Sequence, residues 1–187
     1  MAEVVIETPR LLLCEWDDAA WSIFIAHTNT PAVMRWLGEV MDADGLAAFR
    51  ARIDGYNAKF GHTFWAVHRR PDGGHLADEV IGTCGFKRSD KEELEVAGML
   101  EIGWRLREDA WGKGYAKEAA HACLAHGFAR YDDPLIIALT VEQNTGSWGL
   151  MERLGMTRRP EWDHHDPRYS DELNPTIVYA IERENFR

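Results

Sequence analysis

The sequence predicts an α/β (α+β) fold built on a mixed central sheet, and three observations carry that prediction. Segments at 63–69, 80–87 and 100–106 alternate or run apolar as a three-strand meander. A glycine loop around Gly112 and Gly114 then opens a helix carrying an i, i+4 apolar stripe. A nearly all-apolar stretch at 135–141 follows, which reads as a strand buried on both faces.

In chain order, 10–16 is an apolar run and reads as the first strand. Asp17 and Asp18 offer N-caps for a helix to about His27. Pro31 begins a second, short helix carrying Val33, Met34 and Trp36. Leu46, Phe49, Ile53 and Phe60 recur near helical spacing, and Gly61 supplies the stop. The meander comes next, its first turn marked by Arg70-Pro-Asp-Gly-Gly74 and its second by a charged surface loop over 91–95. After the glycine loop, Ala116, Ala120, Cys123, Leu124, Gly127, Phe128 and Tyr131 form the stripe of the fourth helix. The strand at 135–141, a helix over 145–154 closed by Gly155 and an alternating strand at 176–182 complete the chain. No repeat, low-complexity tract or linker divides it, so 1–187 is expected to be one domain. That length buries about 70% of the unfolded surface without staples.

Net charge is −10, which argues against nucleic-acid and anionic-membrane partners and favours cationic or amine substrates. Against that background Arg105, Arg107, Lys113 and Lys117 outnumber Glu108 and Asp109, a basic spot where an anionic cofactor is expected. Cys14, Cys84 and Cys123 are odd in number and far apart, a reducing-compartment pattern. The N-terminus shows no basic-then-apolar signal arrangement and no apolar run approaches about 20 residues, so a cytoplasmic protein is expected.

A glycine loop that opens a helix is a place to hold phosphate. Gly112 and Gly114 let the backbone turn tightly and approach a ligand. The first amides of the helix have no intrahelical acceptor, and the helix dipole adds positive charge there. A nucleotide P-loop needs Ser or Thr after Gly-Lys, where this chain has Gly114; a dinucleotide fingerprint needs a third glycine, where it has Lys117.

The loop resembles the pyrophosphate loop of the GCN5-related N-acetyltransferases, Gln/Arg-x-x-Gly-x-Gly/Ala. Gly114 and Ala116 match its last two fixed positions and Trp111 departs from the first. Two further stretches join it. Thr8-Pro-Arg-Leu-Leu-Leu13 stands near the start, and Asn144, Glu152, Arg153, Gly155 and Met156 match the motif after the strand at 135–141. Together they resemble the RimJ/RimL-like, ribosomal-protein-alanine acetyltransferase branch. The resemblance covers nearly the whole chain and implies a sheet of about six or seven strands, splayed near its fourth and fifth, and flanked by helices. It implies an acyltransferase moving an acetyl group from acetyl-CoA to a primary amine by direct attack in a ternary complex, without metal.

The resemblance also assigns roles. Trp104 and Leu106 match the strand residues whose backbone pairs with the pantetheine arm, and the backbone around Gly112, Lys113, Gly114 and Ala116 would grip the diphosphate. Asn144 would bind the pantetheine arm or an ordered water, or serve only as a helix N-cap. Many members use a tyrosine to protonate the leaving thiolate; here that position is Met151, and Ser147 occupies the serine position of the RimL-like branch. Glu101 falls near the family's base. An α-amine, with a pKa near 7.7–8.0, demands less of a base than a lysine-type amine near 10.4. His165, Asp166, Pro167 and Arg168 look like the Asp-His-Pro-Arg run that lines the acceptor pocket, with Trp36 and Trp162 as candidate walls. Adjacent His164, His165 and Asp166 with no fourth ligand marked do not make a metal site. The acceptor is expected to be a small-molecule amine or a protein N-terminus, and the protein a monomer or homodimer. Two other readings stand beside this one: a non-catalytic acyl-CoA sensor of the same fold, and a dinucleotide-binding oxidoreductase.

Overall fold

The computed structural model describes residues 2–90, 94–167 and 169–187; part of the charged loop at 91–95, and Arg168, lie outside the described residues. The chain runs β1 (Val4–Glu7), β2 (Leu11–Cys14), α1 (Asp18–Thr28), α2 (Pro31–Met34), α3 (Ala43–Phe60), β3 (Phe64–Arg69), β4 (Val80–Arg88) and β5 (Leu100–Leu106). It continues through α4 (Tyr115–Arg130), β6 (Leu135–Val141), α5 (Thr145–Arg153), β7 (Thr157–Arg158) and β8 (Thr176–Glu182), with short 3-10 turns following β5, β7 and β8. Asp17, Thr30 and Asp42 cap α1, α2 and α3, each side chain accepting from a backbone amide three residues on, and Gly61 ends α3 at φ 66°.

The mixed sheet has eight strands in the order β1-β2-β3-β4-β5-β6-β8-β7. Two of the eight have no counterpart among the segments read from sequence: β1 is four residues before a Thr-Pro turn, and β7 is two residues, too few for any periodicity to register. The first expected strand, 10–16, shortens to β2. Glu15 instead accepts from Trp65 Nε1 at 3.2 Å and Asn57 Nδ2 at 3.1 Å, and Trp16 Nε1 donates to the Phe64 carbonyl at 2.6 Å.

All pairings are antiparallel except β5 with β6, which run parallel and share one paired position, Glu101 with Ile137. Beyond it the two strands part, while β5 stays paired with β4 as far as Leu106 with Gly82. The splay expected at these two strands is therefore where the sheet opens.

Alternation along β5 sends Leu100, Ile102 and Leu106 into the main core with Tyr115, Ala119, Cys123 and Leu124 of α4 and Leu150 and Met151 of α5. Trp104 packs at its edge. The opposite face meets a second core in which Trp16, Trp21, Phe24 and Phe49 pack at ring separations of 5.1–6.4 Å. The central strands approach without room to spare: a Cβ on Gly85 would lie 2.2 Å from the Thr63 carbonyl oxygen. Among the described residues no helix is long and apolar enough to cross a membrane.

Candidate active site

Where β5 and β6 diverge the sheet encloses a cleft of about 1510 Å³. Gly103–Leu106 form one wall and Leu139–Val141 the other; the start of α4 and the start of α5 close its sides. The edge of β5 that faces β6 has no strand partner beyond Glu101, so its backbone is open to an extended, amide-bearing ligand. Trp104 and Leu106 both line the cleft there. Trp111, half-exposed where the resemblance leads one to expect Gln or Arg, donates its indole N–H to the Leu106 carbonyl at 2.9 Å. Its side chain fixes the end of β5.

Gly112 and Gly114 adopt left-handed φ of 70° and 79°, and Gly114 is the N-cap of α4. The helices α1, α2, α3 and α5 each carry a side-chain oxygen on their first-turn amides; α4 has none. No carbonyl among the described residues outside the helix accepts from the amides of Gly112, Lys113 or Gly114. Gly112, Gly114, Tyr115, Ala116 and Lys117 line the cleft, and Lys113 does not. This is a cradle of free amides at a helix N-terminus, the arrangement that suits a diphosphate.

The cradle is held from the far end of the sequence. Glu118 accepts from the Thr8 hydroxyl at 2.7 Å, the Arg10 amide at 2.8 Å and Arg10 Nε at 2.6 Å. Arg10 also donates to the Lys113 carbonyl at 3.1 Å and lies 4.7 Å over the Tyr115 ring. Burial alone would raise the Glu118 pKa, but these hydrogen bonds and the Arg10 charge outweigh it and hold the carboxyl below its ordinary value. The 8–13 stretch thus has a local task that its sequence does not announce, because its partner lies more than a hundred residues away. Of the four basic residues grouped from sequence, Arg107 is bound by Asp109 at 2.6 and 2.8 Å and by Glu79 at 3.4 Å. Arg105 faces away from the cradle, onto the aromatic core.

At the start of α5 the Asn144 side chain accepts from the Ser147 amide at 3.4 Å, so Asn144 is the N-cap of that helix. Both residues line the cleft. Met151 is 1% exposed and packs in the main core. Glu101, nearly buried, lines the cleft with Lys87 Nζ 3.0 Å from its carboxylate. Burial disfavours the Lys87 ammonium, but Glu101 and Asp90 outweigh it and hold its pKa above the ordinary value.

Trp36 lines the cleft. Trp162 and His165 do not: Trp162 packs beside Ile137, Val178 and Ala180 under Arg159, and His165 is exposed. From the same loop it is Asp166, buried, and Tyr169 that reach the cleft. The described residues contain no group of three or more His, Cys, Asp or Glu placed to hold a metal.

Residues 10–157 match the family model described as the acetyltransferase (GNAT) domain. The chain is 31% identical over 182 residues to an uncharacterized N-acetyltransferase, YnaD, of Bacillus subtilis, covering 97% of this chain and 98% of the relative. Among solved structures, a GNAT-family acetyltransferase from Bacillus anthracis superposes with a TM-score of 0.74 at 26% identity, covering 96% of this chain and 98% of the other. RimL, a ribosomal L7/L12 acetyltransferase solved in complex with coenzyme A, shares the fold at a TM-score of 0.71 and 16% identity, over 96% and 98% of the two chains. The family match over most of the chain, on a sheet that opens beside an uncapped helix, makes this protein a member of the GNAT acetyltransferase family.

Proposed function

We propose that the protein transfers an acetyl group from acetyl-CoA to a primary amine by direct attack in a ternary complex. The observation that carries this reading is the uncapped N-terminus of α4, whose free amides open into the cleft beside the unpaired edge of β5. The amides around Gly112, Gly114 and Ala116 bind the diphosphate, each bond to a charged oxygen contributing about 1.5–3 kcal/mol. The backbone at Trp104 and Leu106 pairs with the amides of the pantetheine arm. The coenzyme, when bound, supplies an acetyl group activated as a thioester.

Ser147, at the mouth of α5, gives its hydroxyl proton to the departing sulfur as the new C–N bond replaces the C–S bond. Asn144 holds the turn that presents it. Glu101 receives the amine proton. An α-amine, already partly neutral at pH 7, asks less of that base than a lysine-type amine does. No cysteine enters the reaction: Cys14, Cys84 and Cys123 are buried and none lines the cleft. That supports direct transfer over a covalent acyl-enzyme.

Calorimetric titration with coenzyme A, followed by thiol release from acetyl-CoA over a panel of amines, tests the reading. Binding with amine-dependent thiol release is expected. Absence of any heat with the coenzyme would remove the reading altogether, and binding without thiol release in any mixture would make the protein an acyl-CoA sensor.

A further inference from the structure

The cleft contains a second charged feature, on the face of β5 turned away from the diphosphate cradle. Alternation places Glu101, Gly103 and Arg105 on that face. The Arg105 guanidinium lies 5.1 Å from the Phe24 ring centroid and 4.7 Å from that of Phe49, and its Nη1 is 3.3 Å from Met34 Sδ. Arg52 carries its own guanidinium 5.3 Å from the same Phe49 ring. Both arginines line the cleft, and neither has a carboxylate partner among the described residues.

This chain pairs its other part-buried guanidiniums as it goes. Arg69 has Asp72, Arg107 has Asp109, Arg158 has Asp163 and Arg159 has Glu182. A sheltered cation without a counter-ion is costly, and a second cation beside it adds to the cost. Burial, with Arg52 helping, pushes the Arg105 pKa down to about 10, and of its neighbours Tyr169 alone works the other way. Arg105 belongs to the face opposite the cradle, so the coenzyme diphosphate does not supply the missing charge. Gly103, next along that face, adds no side chain, while Trp36 and Phe49 give the surroundings an apolar wall suited to an organic acid.

We propose that the acceptor is an amine that also carries a carboxylate, as an amino acid or short peptide does, and that Arg105, supported by Arg52, binds that carboxylate. The planar guanidinium fork matches a carboxylate in two-point contact. The charge of the whole chain favours cationic substrates; the charge of this pocket selects a zwitterion instead. The inference takes the acetyl-transfer reading as given for the fate of the amine, but not for binding of the acid.

The test compares L-alanyl-L-alanine and glycylglycine with their C-terminal amides as acceptors. In a dipeptide the carboxylate is far enough from the amine to leave its basicity little changed, so a difference reports recognition of the charge. The acids are expected to show kcat/KM about 10–100-fold above the amides. In Arg105→Gln that ratio should fall toward one, and in Arg52→Gln, an exposed site that carries no folding risk, it should fall part of the way. Affinity for coenzyme A serves as the check that each variant is folded. Equal or better use of the amides, or a ratio untouched by both variants, overturns the proposal. Calorimetry with L-alanyl-L-alanine alone separates it from the acetyl-transfer reading. Heat that Arg105→Gln abolishes supports the acid site even if coenzyme A does not bind, and no heat in the presence or absence of coenzyme A overturns it.

Discussion

At the scale of single residues, the site divides into groups whose backbone acts and groups whose side chain acts. Ile102, Trp104 and Leu106 are core or core-edge side chains, and what they offer the cleft is main chain. Ser147 is the reverse. Its amide is occupied by the Asn144 cap, and in the proposed mechanism its hydroxyl is the group that acts. Ser147→Ala is therefore expected to lower kcat by about 10²–10⁴-fold while leaving coenzyme A affinity and melting temperature close to the parent values. Steady-state kinetics beside a coenzyme titration checks this; a kcat within threefold of the parent would assign the proton to water. The presence of Ser147 and Glu101 at the cleft was reachable from sequence because each sits at a fixed offset from a motif. Arg10 and Glu118 were not, since an ion pair between residues 108 apart leaves no local pattern. For Arg105 a signal existed: strand alternation separates it from Trp104 and Leu106, and it was grouped with its sequence neighbours instead of its face.

At the scale of elements, the loop leading into α4 is the part on which the proposed coenzyme binding depends. Its shape requires two left-handed residues, and only glycine takes that conformation at low cost. Gly114→Ala puts a Cβ 3.4 Å from the Arg10 guanidinium and forces an L side chain to φ near 79°. The strain of about 1–2 kcal/mol is expected to lower the melting temperature and to weaken coenzyme A binding by about tenfold. Thermal melts and calorimetry on the same sample read both, and an unchanged dissociation constant would mean that the loop does not hold the diphosphate. The loop and α4 were legible because everything that shapes them is contiguous. The strands β1 and β7 escaped because they are short and owe their existence to neighbours, Val4–Glu7 to β2 and Thr157–Arg158 to β8.

At the scale of the whole molecule, the ionisable groups make stability fall toward acid. Burial holds the imidazoles of His62, His68 and His126 below their ordinary pKa, so below about pH 6.5 the unfolded chain binds more protons than the folded one. Glu118, kept ionised by Thr8 and Arg10, adds to the loss as pH drops through the carboxylate range. Glu15, raised by burial, works the other way there and offsets part of it. The melting temperature is thus expected to hold near pH 7–8 and to decline from about pH 6.5 downward; a scanning-calorimetry series that stays flat from pH 7.5 to 5.5 would contradict it. The sequence by itself determined the α/β layering, the helices and their caps, and a glycine turn before α4, because apolar period, capping oxygen and glycine conformation act within a few residues. The tertiary structure alone decided that β5 and β6 part after a single shared position, that Thr8 and Arg10 brace the turn through Glu118, and that Arg105 and Arg52 converge on one ring with no acid between them among the described residues. Those are outcomes of chain segments meeting across the sheet, and contacts between distant segments are set by packing, which no local pattern encodes.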